Sequence, residues 1–337
     1  MYDIVPDMIY YAGRIWSDKP FDGYLGIEDG IVREIGTGPP PEPASYTGHI
    51  SAAVVDGHTH IGDAGLELDR RYTLEELVAP PDGLKHRYLS SAPRERIVSD
   101  MRDYSSILCG PVTEFIDFRE GGIEGVRMIR EATDRAVVLG RPVSRTFDAN
   151  EVSEILAEAD GIGIPSVSDL PISYIDAVAD MTHRSGRSFA IHVSERVRED
   201  IDTVLSLEPD FVVHMCEATD RDMRACADAG VPVVVCATSN LYFGKVPPIA
   251  RMVDSGLEMA IGTDNAMLCP PDILAEARVF ASVASGQGCP PSITERALFL
   301  GGSKCLITRK IIGLHEGEAV KPAVVGFDDL GLRMCSP

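Results

Sequence analysis

Lysine is scarce in this chain: six lysines stand beside 25 arginines, and 52 acidic residues outnumber both together, for a formal net charge of −21. No basic cluster is present to replace counterions along a phosphate backbone, which argues against a nucleic-acid partner. Long apolar runs are missing as well. The apolar residues, 45% of the chain, come in short stretches broken by charges and glycines, far below the roughly 20 consecutive residues of a membrane span, so no membrane partner is expected. The opening MYDIVPDMIYYAGRIW lacks the basic start, apolar stretch and small-residue cleavage site of a secretory signal, and the reading is a cytoplasmic protein. No CxxC pair occurs among the eight cysteines, at 109, 216, 226, 236, 269, 289, 305 and 335. Buried reduced thiols are therefore expected rather than disulfides or a cysteine metal site. Internal repeats and low-complexity tracts are absent too. The acid excess reads as a solvated surface that would suit a salt-rich cytoplasm.

What is present is alternation. Short β-branched runs and longer amphipathic stretches follow one another from about residue 52 to 265, the pattern of parallel strands joined by crossover helices. Eight strand candidates can be counted, at 52–58, 112–118, 136–142, 161–167, 188–193, 211–214, 231–236 and 257–264, and eight is the number of strands in a TIM barrel. Between them EGVRMIREATDRA, NEVSEILAEA, SYIDAVADMTHRSG, ERVREDIDTVLSLE and TDRDMRACADAG space apolar residues as helices do, with Gly186 and Gly230 at stops. The first crossover, about 61–111, is the longest; its APPDGLKHRYLSSAPRER is expected to hold a loop before its helix and to form a partial lid. Residues 1–50 read as short strands with an Asp-Gly hairpin in YLGIEDGIVREIG, and the tail GLHEGEAVKPAVVGFD returns to strand character. The expected architecture is α/β: a (β/α)8 TIM barrel over 51–309 as the metal-binding catalytic domain, with a small β-sandwich-like domain formed by 1–50 and 310–337.

Four of the eight histidines and one aspartate fall at the ends of these strands: His58 and His60 in VVDGHTH, His192 in FAIHVSE, His214 in FVVHM and Asp264 in AIGTD. Imidazole and carboxylate are ligands that Zn²⁺ and Fe²⁺ accept. Residues i and i+2 of a strand point the same way, so His58 and His60 can aim at one point while Thr59 faces away. The C-terminal strand ends are where barrel enzymes keep their active sites. A metal-dependent hydrolase is the reading. Of the other histidines, 49, 183 and 315 read as surface residues, and His86, in the expected lid, is held open as a substrate contact.

VVDGHTH, HVSE, the later histidine and GTD resemble the amidohydrolase superfamily of (β/α)8 metal hydrolases, over most of the chain. The resemblance is closest to the branch holding cytosine, adenosine-type and S-adenosylhomocysteine deaminases and triazine hydrolases, whose fifth-strand histidine is followed three positions later by glutamate, here Glu195. Thr238-Ser239-Asn240 is similar to a PxSN segment of that branch, and EDGIVREIG to the family's N-terminal β-domain. HISAA in place of the Pro-Gly before the first strand, and KPAVVGFD without the usual Ala-Asp, imply a reduced β-domain.

Position by position, the resemblance implies that His58, His60, His192 and Asp264 hold one divalent metal ion, zinc first, with iron or manganese as alternatives. His214 would polarise the bound water or the oxyanion. The fourth strand, GIGIPSV, has neither the lysine nor the glutamate of two-metal relatives, so one ion is favoured, although Glu120 could approach a second. The implied reaction is hydrolytic deamination of an aminated purine- or pyrimidine-like ring, with Asp264 taking the water's proton and Glu195 protonating a ring nitrogen. The catalytic set is then Glu195, His214 and Asp264, and Arg119, Glu120, Arg145, Ser166 and Asn240 are candidates for contacts to a small-molecule substrate. Glu195 could instead begin a helix, Arg119 could be an ion-pair partner and Glu120 a solvated acid. Hydrolysis of an amide or cyclic amide C–N bond, and a catalytically silent metal- or ligand-binding barrel, are the rival functions. A homo-oligomer is compatible with the sequence.

Overall fold

The computed structural model describes residues 8–17, 19–79, 82–108, 112, 114–306, 314–320 and 322–326. Four strands open the chain: β1 (Ile9–Trp16), β2 (Phe21–Glu28), β3 (Ile31–Thr37) and β4 (Tyr46–Ser51). Eight more alternate with helices: β5 (Val55–His60), β6 (Glu114–Arg119), β7 (Ala136–Gly140), β8 (Gly161–Ile164), β9 (Ser188–Val193), β10 (Phe211–His214), β11 (Val233–Val235) and β12 (Met259–Ile261). Two short ones follow, β13 (Asp264–Asn265) and β14 (Ala323–Val325).

β5 to β12 form one curled parallel sheet in chain order, extended at its β5 edge by β13. β13 follows β12 after two residues and pairs with β5, Asp264 opposite Thr59. The two edges of the sheet are thus joined by a single short segment, which carries Asp264 to the histidines of β5. Both faces of the sheet are covered, so its strands read as nearly continuous apolar runs. In β7, Val137 and Leu139 pack inward with Ile116, Phe118, Phe211, Val213 and Val234, while Ala136 and Val138 pack outward among helix residues such as Val126, Ile129 and Ile155.

A second sheet has the order β14-β4-β1-β2-β3 and its own apolar cluster of Ile15, Leu25, Ile27, Val32, Ile50 and Leu314. Its β2–β3 turn is Asp29-Gly30 with φ of 51° and 73°, the two left-handed residues that a tight hairpin needs. The expected domain boundary at 310 and residues 327–337 lie outside the described residues. The chain's one tryptophan ties this sheet to the larger body: Trp16 stacks on Phe299 at 5.2 Å between ring centroids and donates its indole N–H to His49 Nδ1 at 3.1 Å. His49, expected at the surface, is accordingly only 6% exposed.

The segment SITERALFLGGSKCL is helical through Pro291–Arg296, widens to a π turn at Ala297–Gly301 and ends at Gly302–Lys304. Its two adjacent glycines serve close approach. A Cβ at Gly301 would lie 2.0 Å from Met259 O, and one at Gly302 would lie 2.4 Å from Val55 O. Six described cysteines are free thiols, and Cys226, Cys236, Cys269 and Cys305 are buried; Cys109 and Cys335 lie outside the described residues.

Two local expectations fail for the same reason. The stretch APPDGLKHRYLSSAPRER, expected to hold a loop before its one helix, contains a helix of its own, Leu84–Ser91, between Leu74–Leu77 and Arg94–Leu108; Pro80 and Pro81 lie outside the described residues. That helix is held by Lys85, which is buried against residues 120 and 265, partners that no local pattern announces. Conversely, the helix expected from Glu195 onward begins only at Ile201, capped by Asp200. The preceding loop is closed by Glu199, which accepts from Ser194 N at 2.9 Å and whose own N–H donates to Ser194 Oγ at 3.0 Å. Glu195 therefore stands on a loop beside β9, not at a helix N-terminus.

Candidate active site

The side chains at the C-terminal strand ends converge. His58 Nε2 lies 3.2 Å from His192 Nε2, His60 Nε2 lies 3.4 Å from that same atom, and Asp264 Oδ1 stands 3.4 Å from His58 Nε2 and 3.8 Å from His60 Nε2. Nitrogens bonded to one tetrahedral zinc at about 2.0–2.1 Å are about 3.3–3.4 Å apart, and the histidine separations fall at that distance. His58, His60 and His192 make one such donor group and His58, His214 and Asp264 another, each with its donor atoms within 4.8 Å of one another.

The surroundings set the protonation that ligands need. His192 Nδ1 lies 2.9 Å from Ile164 O and His60 Nδ1 lies 2.9 Å from Phe118 O. A ring N–H donated to each carbonyl leaves the Nε2 lone pair facing the centre. Burial lowers the basicity of all four imidazoles, His60 to about 3 and His192 to well below its ordinary value. The neutral ring is the form that binds a metal. Burial alone would raise the Asp264 carboxyl, but the hydrogen bond from His58 and the imidazoles gathered around it hold it well below the usual carboxylate range.

His214 is held differently. Asn240 Nδ2 lies 3.1 Å from His214 Nδ1; with that amide donating, the ring proton sits on Nε2, which faces Glu195 Oε2 at 3.6 Å. Such a ring donates into the site instead of offering a lone pair. Glu195 itself is raised to about 8 by burial and by the nearby Asp264 charge. Backbone strain collects here as well: Ser194, His214, Met215 and Asp264 are four of the six described non-glycine residues at positive φ. Such conformations cost about 1–3 kcal/mol each and cluster at functional sites.

A chamber of about 90 Å³ lies over the centre, lined by His60, His192, Glu195, His214 and Asp264 among others. A larger cavity of about 610 Å³ adjoins it, the two sharing His86, Glu120, Arg141, Pro165 and Asp169. The expected substrate contacts distribute unevenly. Ser166 lines the chamber, its hydroxyl donating to Glu199 Oε1 at 2.8 Å. Arg145 is exposed on the wall of the larger cavity. Glu120 faces both cavities and is no solvated acid: Oε1 is 2.6 Å from Lys85 Nζ and 2.9 Å from His60 Nδ1. Two of the expectations need correction. Arg119 is 1% exposed and lines neither cavity; it supports Glu120 from behind at 2.7 Å. Asn240 is fully buried behind His214 and orients that ring rather than meeting a ligand.

Sequence reasoning passed over several residues. Lys85 bridges Glu120 and Asn265, the neighbour of Asp264, and its rarity in an arginine-rich chain was the available signal. Asp56 accepts from Thr263 N at 3.0 Å and Thr263 Oγ1 at 2.7 Å, locking the β12–β13 link onto β5; burial pushes its carboxyl up to about 7. His86, held open as a lid contact, lines both cavities while its Nε2 meets Val78 O at 3.1 Å. Cys216 and Cys236, near the strand ends, are pushed up by burial and remain thiols.

No family model matches the chain. It is 32% identical over 290 residues to a protein of Methanothermobacter thermautotrophicus named "Putative aminohydrolase", covering 78% of this chain and 76% of that one. A protein of the same name from Archaeoglobus fulgidus is 34% identical over 277 residues, with 82% and 79% covered. Among solved structures, an adenosine deaminase from Xanthomonas campestris with bound zinc superposes with a TM-score of 0.73 at 16% identity, covering 97% of this chain and 86% of that one. At that identity the likeness speaks for the fold.

Proposed function

The chain belongs to the amidohydrolase superfamily of metal-dependent hydrolases, and from that footing we propose that it is a zinc-dependent aminohydrolase that deaminates an aminated purine- or pyrimidine-like ring. The observation that carries the reading is the meeting of three histidine Nε2 atoms and the Asp264 carboxylate at ligand spacing, with Glu195 and His214 beside them. In this reading residues 51–309 are a (β/α)8 catalytic barrel, and 1–50 with 310–337 a small β-domain beside it.

The donor set fits one ion. His58, His60, His192 and Asp264 would hold it; when bound, it supplies a water acidified toward neutrality. Asp264, kept ionised among imidazoles, would take the proton that a water gives up in attacking the ring carbon bearing the amine. Glu195, held protonated around neutral pH by its enclosure, would give its proton to the ring nitrogen, take over the one Asp264 received and pass it to the amine, which leaves as ammonia, and recover a proton from the hydroxyl left on the carbon as the carbonyl forms. The His214 Nε2–H donates to the oxygen that becomes negative as the carbon turns tetrahedral. Glu120, directly after β6, keeps the His60 ring in place and is itself fixed by Lys85 from the helix Leu84–Ser91.

The test is ammonia release from a panel of aminated purines, pyrimidines and triazines by zinc-loaded protein, beside Asp264→Asn. Ammonia lost in the variant, with the fold retained, is the expected result. Ring opening with appearance of a carboxylate would favour amide hydrolysis, and no turnover of either kind would favour a silent barrel.

A further inference from the structure

Arg141 directly follows β7, its backbone N–H donating to Arg119 O at 2.9 Å, and its side chain stands on the wall common to the chamber and the larger cavity. Unlike Arg119, it is unmatched. Among the described residues no carboxylate oxygen lies within 4.0 Å of its guanidinium, and no side-chain hydrogen bond is formed to it. The acids nearest in charge are engaged elsewhere: Glu120 by Lys85, His60 and Arg119, and Asp169 by Ser166 and the charge of Arg196. Guanidinium stays protonated in proteins, so the cavity wall holds a partly enclosed cation that no acid among the described residues neutralises and that is free to meet a ligand.

The two volumes say where that partner sits. About 90 Å³ over the centre suffices for the reacting end of a ring, whereas about 610 Å³ lies beyond Arg141, within the size range of whole-ligand pockets. The larger cavity has apolar walls at Val143, Leu170 and Tyr174, and a second arginine, Arg145, at its exposed side.

We infer that the larger cavity is an anion subsite: the ring entering the chamber carries a substituent ending in a phosphate or carboxylate, which Arg141 anchors with Arg145 as its second contact. The inference rests on the aminohydrolase reading for the ring alone. The net charge of −21 opposes an anion at long range, but surface charges beyond about 8 Å are screened at physiological salt, and a contact pair with Arg141 is not. Charge-assisted bonds of this kind are worth about tenfold or more in affinity.

The experiment compares adenosine, adenosine 5′-monophosphate and adenosine 5′-carboxylic acid by calorimetry on zinc-loaded protein and on Arg141→Met. In parallel, labelling of Arg141 by phenylglyoxal in the unmutated protein is followed with and without inorganic phosphate or acetate. At least one anionic probe should bind about tenfold tighter than adenosine, its advantage should fall to about threefold or less in Arg141→Met, and the matching free anion should protect Arg141; whether phosphate or carboxylate does so identifies the group. Equal binding of neutral and anionic probes without protection overturns the subsite. Protection of Arg141 without ammonia release from any ring would keep the subsite and reject the aminohydrolase reading, whereas ammonia release with no preference for charge would reject the subsite alone.

Discussion

Replacing Lys85 with methionine removes a cation from the mouth of the site while keeping most of its volume. Lys85 is 2% exposed, and Nζ lies 2.6 Å from Glu120 Oε1, 3.1 Å from Asn265 Oδ1 and 3.6 Å from Asp63 Oδ2. At an effective dielectric of about 20, unit charges about 3.6 Å apart attract by about 4–5 kcal/mol, which bounds the Asp63 contribution from above. Two features reduce the loss. Arg119 still holds Glu120 at 2.7 Å, and Asp63, pushed up to about 7 by burial against the opposing pull of Lys85, can take a proton once the cation is gone. A carboxyl raised in the folded state costs stability as pH climbs from its unfolded value to its folded one, and losing Lys85 moves the folded value higher still. Near pH 6 Asp63 is protonated in both proteins, and they should differ by the Glu120 and Asn265 contacts, about 1–2 kcal/mol. Above pH 7 the gap should widen by about 1.4 kcal/mol per pH unit, reaching about 3–4 kcal/mol at pH 8.5. Urea unfolding of the metal-free proteins at both pH values measures it. A gap under about 0.5 kcal/mol at both, or one that narrows as pH rises, refutes the reasoning. Zinc affinity should also drop about tenfold to a hundredfold, because Glu120 would no longer be fixed against His60.

Glu195→Gln should keep its zinc and lose about 10²–10⁴-fold in kcat for ammonia release; a variant that turns over normally would remove the proposed proton shuttle. Burial would raise the Asp222 carboxyl, but Arg198, at 2.8 Å from each oxygen, and Thr219 outweigh it and hold it at about 2. A lowered carboxyl stabilises above its unfolded value and loses that contribution as pH falls, so Arg198→Met should cost about 1–2 kcal/mol at pH 7, with Arg198 half-exposed, and little near pH 2, as acid titrations of unfolding would show. Gly301→Ala should destabilise by about 3 kcal/mol or prevent folding, because its Cβ would meet Met259 O at 2.0 Å; a thermal midpoint equal to that of the unmutated chain contradicts this close packing.

Periodicity made the parallel strands and the Asp29-Gly30 hairpin legible, because both faces of each sheet strand are buried and the turn has a local chemical signature. The convergence of the five candidate site residues was legible for a related reason: strand ends carry side chains to one face whatever the loops between them do. Lys85, Asn240 and Arg119 were not. Lys85 and Asn240 take their roles from partners 180 and 26 residues away, and Arg119, whose partner Glu120 is its own neighbour in sequence, from burial that only the assembled sheet provides. The loop placing Glu195 was hidden likewise, since the Ser194–Glu199 bonds that close it compete with a helical pattern in the same residues. Arg141 shows the converse limit: an arginine after a strand is unremarkable until its surroundings show that no acid meets it.

Metal content beside turnover tests the central claim most directly, on protein purified without chelator and on the double variant His58→Ala/His60→Ala. The account predicts about one equivalent of zinc per chain, lost in the variant together with ammonia release from an aminated ring. A chain that takes up no zinc on reconstitution, or a double variant that still releases ammonia, would contradict it.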